Sequence, residues 1–143
     1  MRVLVLNGPN LNRLGTREPG IYGALREQDI LERLKAEAPD VEWTHVQSQH
    51  EGVLIEALHE AADTGTHVIF NPAGYTHTSV SLRDAVALTV EAGSLVVEVH
   101  LSNPAARESF RHTSLISAVA SGTIAGFGAG SYSAALHVIR SAQ

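Results

Sequence analysis

Five short apolar runs recur along this chain, and a stretch with helical spacing follows each of them. Residues 3–6, 41–46, 68–70, 95–99 and 123–127 read as strands. Strands this apolar suit a parallel sheet covered by helices on both faces. The second run alternates apolar and polar residues, as a strand nearer the edge does. Between the runs, residues 26–37 place Ile30, Leu31, Leu34 and Ala38 at helical spacing, with Pro39 as the stop. Ser48 and Glu51 fit a Ser-x-x-Glu capping box, opening a helix that carries Leu54, Leu58 and Ala61 on one face and closes at Gly65. A helix is expected over 79–92 with Gly93 as its end, a short one from Asn103-Pro104, and a last one over 133–141. No repeat, linker or low-complexity segment interrupts the 143 residues. With right-handed crossovers, the expected α/β fold is a flavodoxin-like three-layer sandwich. Its five-stranded parallel sheet would have the order 2-1-3-4-5, in a single domain, 1–143.

Composition narrows the function. The chain has no cysteine, which removes disulfides, thiolate metal sites and a cysteine nucleophile. A formal net charge of -5 and the lack of a basic run argue against a nucleic-acid partner. No apolar stretch is long enough to span a bilayer, so no membrane role is expected. The start "MRVLVLNGPN" lacks the long apolar region and cleavage site of a signal peptide, and the expectation is a cytoplasmic protein.

In such folds ligands bind beyond the carboxyl ends of the strands. After the first strand stands "NGPNLNRLGTREPGIYG", a long connection with no apolar periodicity, carrying Asn10, Arg13, Arg17 and Tyr22. Connections of that length in a compact domain are usually functional or disordered. Leu11, Leu14, Ile21 and Tyr22 give this one apolar groups that could pack or close over a ligand. After the third strand stands "NPAGYTHTS", with Asn71, Tyr75, Thr76, His77 and Ser79. The fourth runs into "EVHLSN", with Glu98, His100, Ser102 and Asn103, and Arg107 and Arg111 follow. Taken singly, each has a bland reading: a hydrogen-bonded structural histidine, a packed tyrosine ring, two arginines on a solvated face. Together they bring amide, imidazole, guanidinium and phenol groups to one sheet edge. Glu98 and His100 are two apart on a strand and face one side, so the carboxylate can fix the imidazole tautomer or serve as a buried ion pair. His45, His50, His59 and His137 read as surface or packing residues.

The residue types restrict the chemistry. Ser79 in "THTSV" is no nucleophile elbow. His77, His100 and His112 with Glu98 lack the spacing of a dedicated zinc site. "GFGAGS" at 126–131 follows the last strand and lacks a third glycine, which favours close strand–helix packing over dinucleotide binding. What remains is acid–base chemistry without a cofactor or metal, on an anionic substrate held by arginines and helix N-termini.

Along its whole length the sequence resembles the type II 3-dehydroquinate dehydratases. The matching segments are "NGPNLNRLGTREPGIYG", "NPAGYTHTSVSLRDA", "EVHLSN" and "ARESFRH". The resemblance implies dehydration of 3-dehydroquinate to 3-dehydroshikimate, in the shikimate pathway or in quinate catabolism. It also implies no cofactor and a dodecamer built as a tetramer of trimers. Carried over by residue, Tyr22 is the base, Arg17 activates it and stabilises the transition state, and His100 is the acid. Asn71, His77 and Arg111 bind substrate hydroxyls, and the backbone amides of Leu101 and Ser102 hold the carboxylate. Asp84 reaches a neighbouring subunit's site, and Asn10, Glu98 and Arg107 support the centre. The long first connection, about 8–25, becomes an active-site lid. The departures are modest. "NPAGYTHTS" transposes the commoner Gly-Ala order, Ala106 and Ser109 replace commoner residues, and Ser131 stands where glycine is usual. Rival readings on the same fold are a receiver, which needs acidic residues where Asn7 and Gly8 stand, and a flavin carrier, which needs a short Ser/Thr-rich phosphate loop. A zinc hydrolase is the remaining rival.

Overall fold

The computed structural model describes residues 1–16 and 25–142, so the expectations for Arg17 and Tyr22 lie outside the described residues. The sheet contains β1 (Arg2–Asn7), β2 (Glu42–Gln47), β3 (His67–Asn71), β4 (Val96–His100) and β5 (Gly122–Ala125). All neighbours are parallel and the order is β2-β1-β3-β4-β5, as expected from the sequence. The helices are α1 (Glu27–Glu37), α2 (Glu51–Thr64), α3 (Val80–Glu91) and α4 (Gly130–Ser141).

The pleat sorts the strand residues into two cores. Val3 and Val5 of β1, with Ile69, Val97 and Val99, face α1 and α4 and meet Ile30, Leu34, Leu136 and Ile139. Leu4 and Leu6, with Val68, Phe70 and Val96, face α2 and α3 and meet Leu54, Leu58, Leu82 and Val86. Each strand therefore feeds both layers, which is why the runs are continuously apolar. β2 is an edge strand with no fully buried residue, as its alternation indicates.

β5 ends at Ala125 rather than at 127, the short helix expected from Asn103-Pro104 is a 3-10 turn, and two helix starts differ from the sequence expectations. The Ser48 hydroxyl does not cap α2 as a capping box. It accepts from the His50 amide at 2.9 Å, and the helix begins at Glu51 with His50 as its N-cap. The crossover from β4 to β5 carries no α-helix of eight or more residues among the described residues, only 3-10 turns at Pro104–Ala106 and Ser109–Arg111. Asn103 opens the first of these, its side chain accepting from the Ala105 amide. The last helix starts at Gly130, three residues before the expected Ser133, and so brings Tyr132 into its buried first turn. Elsewhere Gly65 ends α2 as expected, in the left-handed region (φ 64°), and the Ser79 hydroxyl accepts from the Leu82 amide to open α3.

Two features fix the carboxyl edge where the long connection begins. Gly8 donates its N–H to Asn71 O at 2.8 Å, and a Cβ there would stand 2.5 Å from Pro72 O, so only glycine permits this approach. Downstream, Leu11 and Leu14 are buried in the α1/α4 core, so this part of the connection is anchored.

Candidate active site

The carboxyl ends of β1, β3 and β4 open into one cavity. Asn10, Leu11, Arg13 and Leu14 come from the connection after β1. Asn71, Ala73, Gly74 and His77 come from the end of β3 and the turn after it. His100, Leu101, Ser102, Pro104, Arg107 and Arg111 complete the wall from β4 onward. The structure thus brings together Asn10, Asn71, His77, His100, Leu101, Ser102, Arg107 and Arg111. It does not bring in Asp84, which is exposed on α3 away from the lining, nor does Glu98 line the cavity.

Glu98 lies directly beneath. Its side chain is fully buried, and its Oε1 stands 2.8 Å from His100 Nε2. Four hydroxyls close around the same carboxylate. Ser114 donates at 2.9 Å, Thr123 approaches Oε2 at 3.4 Å, and Thr76 and Ser117 donate as well. Burial pushes this carboxyl up, but the bonds from His100, Ser117 and Thr76 outweigh it and bring the pKa down to about 2. Glu98 is therefore an anion at neutral pH and can only accept. The Nε2 proton of His100 is committed to it, and Nδ1 is the nitrogen left to exchange a proton with a ligand.

A stability consequence follows. A carboxyl whose folded pKa is depressed stabilises the fold above its ordinary value of 4.5, and the contribution disappears as pH falls towards 2. The pKa difference corresponds to something on the order of 3 kcal/mol. Glu98→Gln is expected to lower the urea midpoint markedly at pH 7, because its amide brings donors to a site already full of donors. The gap to the parent protein should narrow on acidification below about pH 4.5. A gap independent of pH would show that the charge of Glu98 contributes nothing.

The other polar groups have defined orientations. His77 Nδ1 donates to Thr113 O at 2.8 Å, which fixes the orientation of the ring. Arg107 Nη1 donates to Ser102 Oγ at 3.3 Å. Arg111 pairs with Glu108, and its guanidinium carbon lies 4.9 Å from the centre of the Phe110 ring. His112 Nε2 bonds Arg107 O, so the zinc set considered from sequence is spread over separate partners. Among the described residues no group of three or more His, Asp or Glu side chains could hold a metal ion. No described helix is long and apolar enough to cross a membrane.

The transposed "NPAG" has a structural counterpart: Ala73, not Gly74, takes a positive φ, of 54°. An L-residue there costs roughly 1–2 kcal/mol, and the adjoining Ala73 N–H donates to Asn71 Oδ1 at 3.1 Å. Arg13, named among the candidates after the first strand, lines the cavity as well. Sequence reasoning passed over the cage hydroxyls Ser114, Ser117 and Thr123. It also passed over Asn7 and Tyr132, whose hydroxyl bonds both Asn7 and Asn71 beneath the cavity. Only its position at a strand end could have marked Asn7. Nothing local marks the others.

The sequence matches the model of the family described as dehydroquinase class II over residues 1–140. It is 54% identical over 141 residues to 3-dehydroquinate dehydratase 1 of Corynebacterium efficiens, covering 96% of this chain and 91% of that one. It is 52% identical over 140 residues to the 3-dehydroquinate dehydratase of an Exiguobacterium species, covering 97% and 94%. The fold superposes on the crystal structure of type II dehydroquinase from Propionibacterium acnes with a TM-score of 0.92 at 42% identity, covering 98% of this chain and 96% of that one. The chain belongs to the class II dehydroquinases, a family of hydro-lyases.

Proposed function

We propose that this protein removes water from 3-dehydroquinate to give 3-dehydroshikimate, by acid–base chemistry at the cavity above β1, β3 and β4. The observation that carries the reading is His100, held by a buried carboxylate at the head of β4 with its second nitrogen available. The proton to be removed sits on a carbon next to a ketone, so its loss gives an enolate. Tyr22 is the base. A free phenol is ionised in only about one molecule in a thousand at pH 7. A cation beside a phenol lowers its pKa by roughly 1–3 units, and Arg17 in this role recovers much of that deficit. His100 acts as the imidazolium, with Nε2–H on the Glu98 carboxylate, gives its Nδ1 proton to the departing hydroxyl and is left neutral. Asn71, His77 and Arg111 hold substrate hydroxyls, and the amides of Leu101 and Ser102 hold the carboxylate. Asn10 and Arg107 support them, and the lid that excludes water is the part of the 8–25 connection beyond the anchored Leu11 and Leu14.

An amine could acidify the same carbon by forming an imine with the ketone. The only lysine is Lys35, exposed in the last turn of α1 and outside the cavity lining. Borohydride added with substrate is therefore expected to leave activity intact. Inactivation, with the mass of a reduced adduct on Lys35, would overturn the enolate route.

The assembly is proposed as a dodecamer, a tetramer of trimers, with Asp84 reaching a neighbour's site. Val80, Asp84 and Leu88 fall at successive i, i+4 positions of α3 and are all exposed, an apolar stripe with a carboxylate at its centre. Sedimentation should give twelve times the mass of the chain, and a monomer at micromolar concentration would contradict it.

A further inference from the structure

Beneath the cavity, on the side away from Glu98, a second buried polar network links the site to the β2 edge of the sheet. Asn7 and Asn71 are register partners at the carboxyl ends of β1 and β3. Tyr132, fully buried in the first turn of α4, reaches between them. Its hydroxyl donates to Asn7 Oδ1 at 2.8 Å and accepts from Asn71 Nδ2 at 3.0 Å. Asn7 Nδ2 donates to Glu27 Oε1 at 2.7 Å, and His45 Nε2 lies 2.9 Å from that oxygen.

This chain of bonds has one polarity. Burial pushes the Glu27 carboxyl up, yet the bonds from His45 and Asn7 hold it below its ordinary value, so it is an anion and accepts only. Asn7 must then turn its NH₂ towards Glu27 and its oxygen towards Tyr132. The tyrosine hydroxyl has one proton, which goes to Asn7, and its oxygen is left to accept from Asn71. The Asn71 amide is thereby fixed with Nδ2 towards the tyrosine and Oδ1 towards the Ala73 N–H. A flipped Asn71 would set its NH₂ against that N–H, donor against donor. The second Nδ2 proton of Asn71, which lines the cavity, is the group left for a ligand.

We propose that Tyr132 is a positioning residue, the centre of a one-way relay from Glu27 through Asn7 that fixes the Asn71 amide as a donor to a substrate oxygen. The inference rests on the reading of Asn71 as a substrate-binding residue. The relay chemically touches no reacting atom. Its effect should therefore fall on substrate affinity and depend on Asn71 being present.

The test is a mutant cycle on the full-length protein, with KM and kcat for dehydration of 3-dehydroquinate and thermal unfolding measured for each variant. Tyr132→Phe lets the Asn71 amide turn, and KM should rise about tenfold while kcat changes by less than about threefold. Asn71→Ala should raise KM at least as much. The double variant should be no worse than Asn71→Ala alone, because two members of one relay do not add. Glu27→Lys, at the outer end, puts a donor where the relay needs an acceptor and should raise KM without disturbing the buried ring. Glu27→Gln, whose amide oxygen can still accept from Asn7, should restore the parent KM to within about twofold. If Tyr132→Phe does not fold, the cycle of Glu27→Lys with Asn71→Ala decides. KM effects that multiply in the double variant would overturn the relay, as would a lower melting temperature with KM unchanged. Unchanged KM in Asn71→Ala would overturn it too, while leaving the dehydratase activity standing. An inactive parent protein would instead mark the failure of the proposed function, and the relay with it.

Discussion

Tyr22→Phe is expected to cut turnover by ~10²–10⁴-fold while leaving substrate binding and the fold in place. The substitution deletes one oxygen from a ring that otherwise stays. If that oxygen is the base, the proton on the carbon next to the ketone has no acceptor, and only adventitious water remains. Affinity should change little, since the arginines and amides of the cavity hold the substrate whether or not the base is present. In kinetic terms kcat and kcat/KM fall together, which marks an interaction made only in the transition state. Near-normal turnover would remove Tyr22 from the mechanism. Stopped-flow or steady-state kinetics with 3-dehydroquinate read the result directly.

His100→Gln should have an effect of similar size for the opposite proton, ~10²–10⁴-fold in kcat. Glutamine is the informative replacement because its Nε2 can take over the donation to Glu98 that His100 makes at 2.8 Å. Alanine would leave the buried carboxylate short of a donor and mix loss of stability with loss of catalysis. Glutamine has no proton to give to a departing hydroxyl. The expected variant is therefore folded, close to the parent in melting temperature, and nearly inactive. A loss confined to KM would show that His100 only holds the substrate. In that case the caged Glu98 would serve the fold and not the reaction.

How much of this could be read from the residues alone differs between the fold and the site. The sheet order was legible because strands 3–6, 68–70 and 95–99 are apolar on both pleat faces, and parallel pairing with right-handed crossovers then leaves few topologies. The helix ends set by Gly65 and Ser79 were legible because their conformations are local. Ser48 misled because a hydroxyl can bond the amide two residues on as readily as the third, and nothing local decides between them. The polar residues of the cavity were legible by position: Asn10, Asn71, His77, His100, Arg107 and Arg111 all follow strand ends, and the structure gathers them. What lies beneath was not. The hydroxyls that cage Glu98 come from up to 25 positions away, and Tyr132 is 125 residues from Asn7. Such partners are chosen by the packed fold, and a serine or tyrosine in a helix or turn carries no local sign of them.

The measurement that bears most directly on the central claim is ultraviolet absorbance after 3-dehydroquinate is added to protein pre-treated with chelator. The product is a conjugated enone carboxylate and absorbs strongly where the substrate does not. The expected result is a rise proportional to enzyme concentration and indifferent to the chelator. A flat trace from folded protein would contradict the assigned reaction. A rise abolished by chelator and restored by added metal would contradict the acid–base mechanism built on Tyr22 and His100.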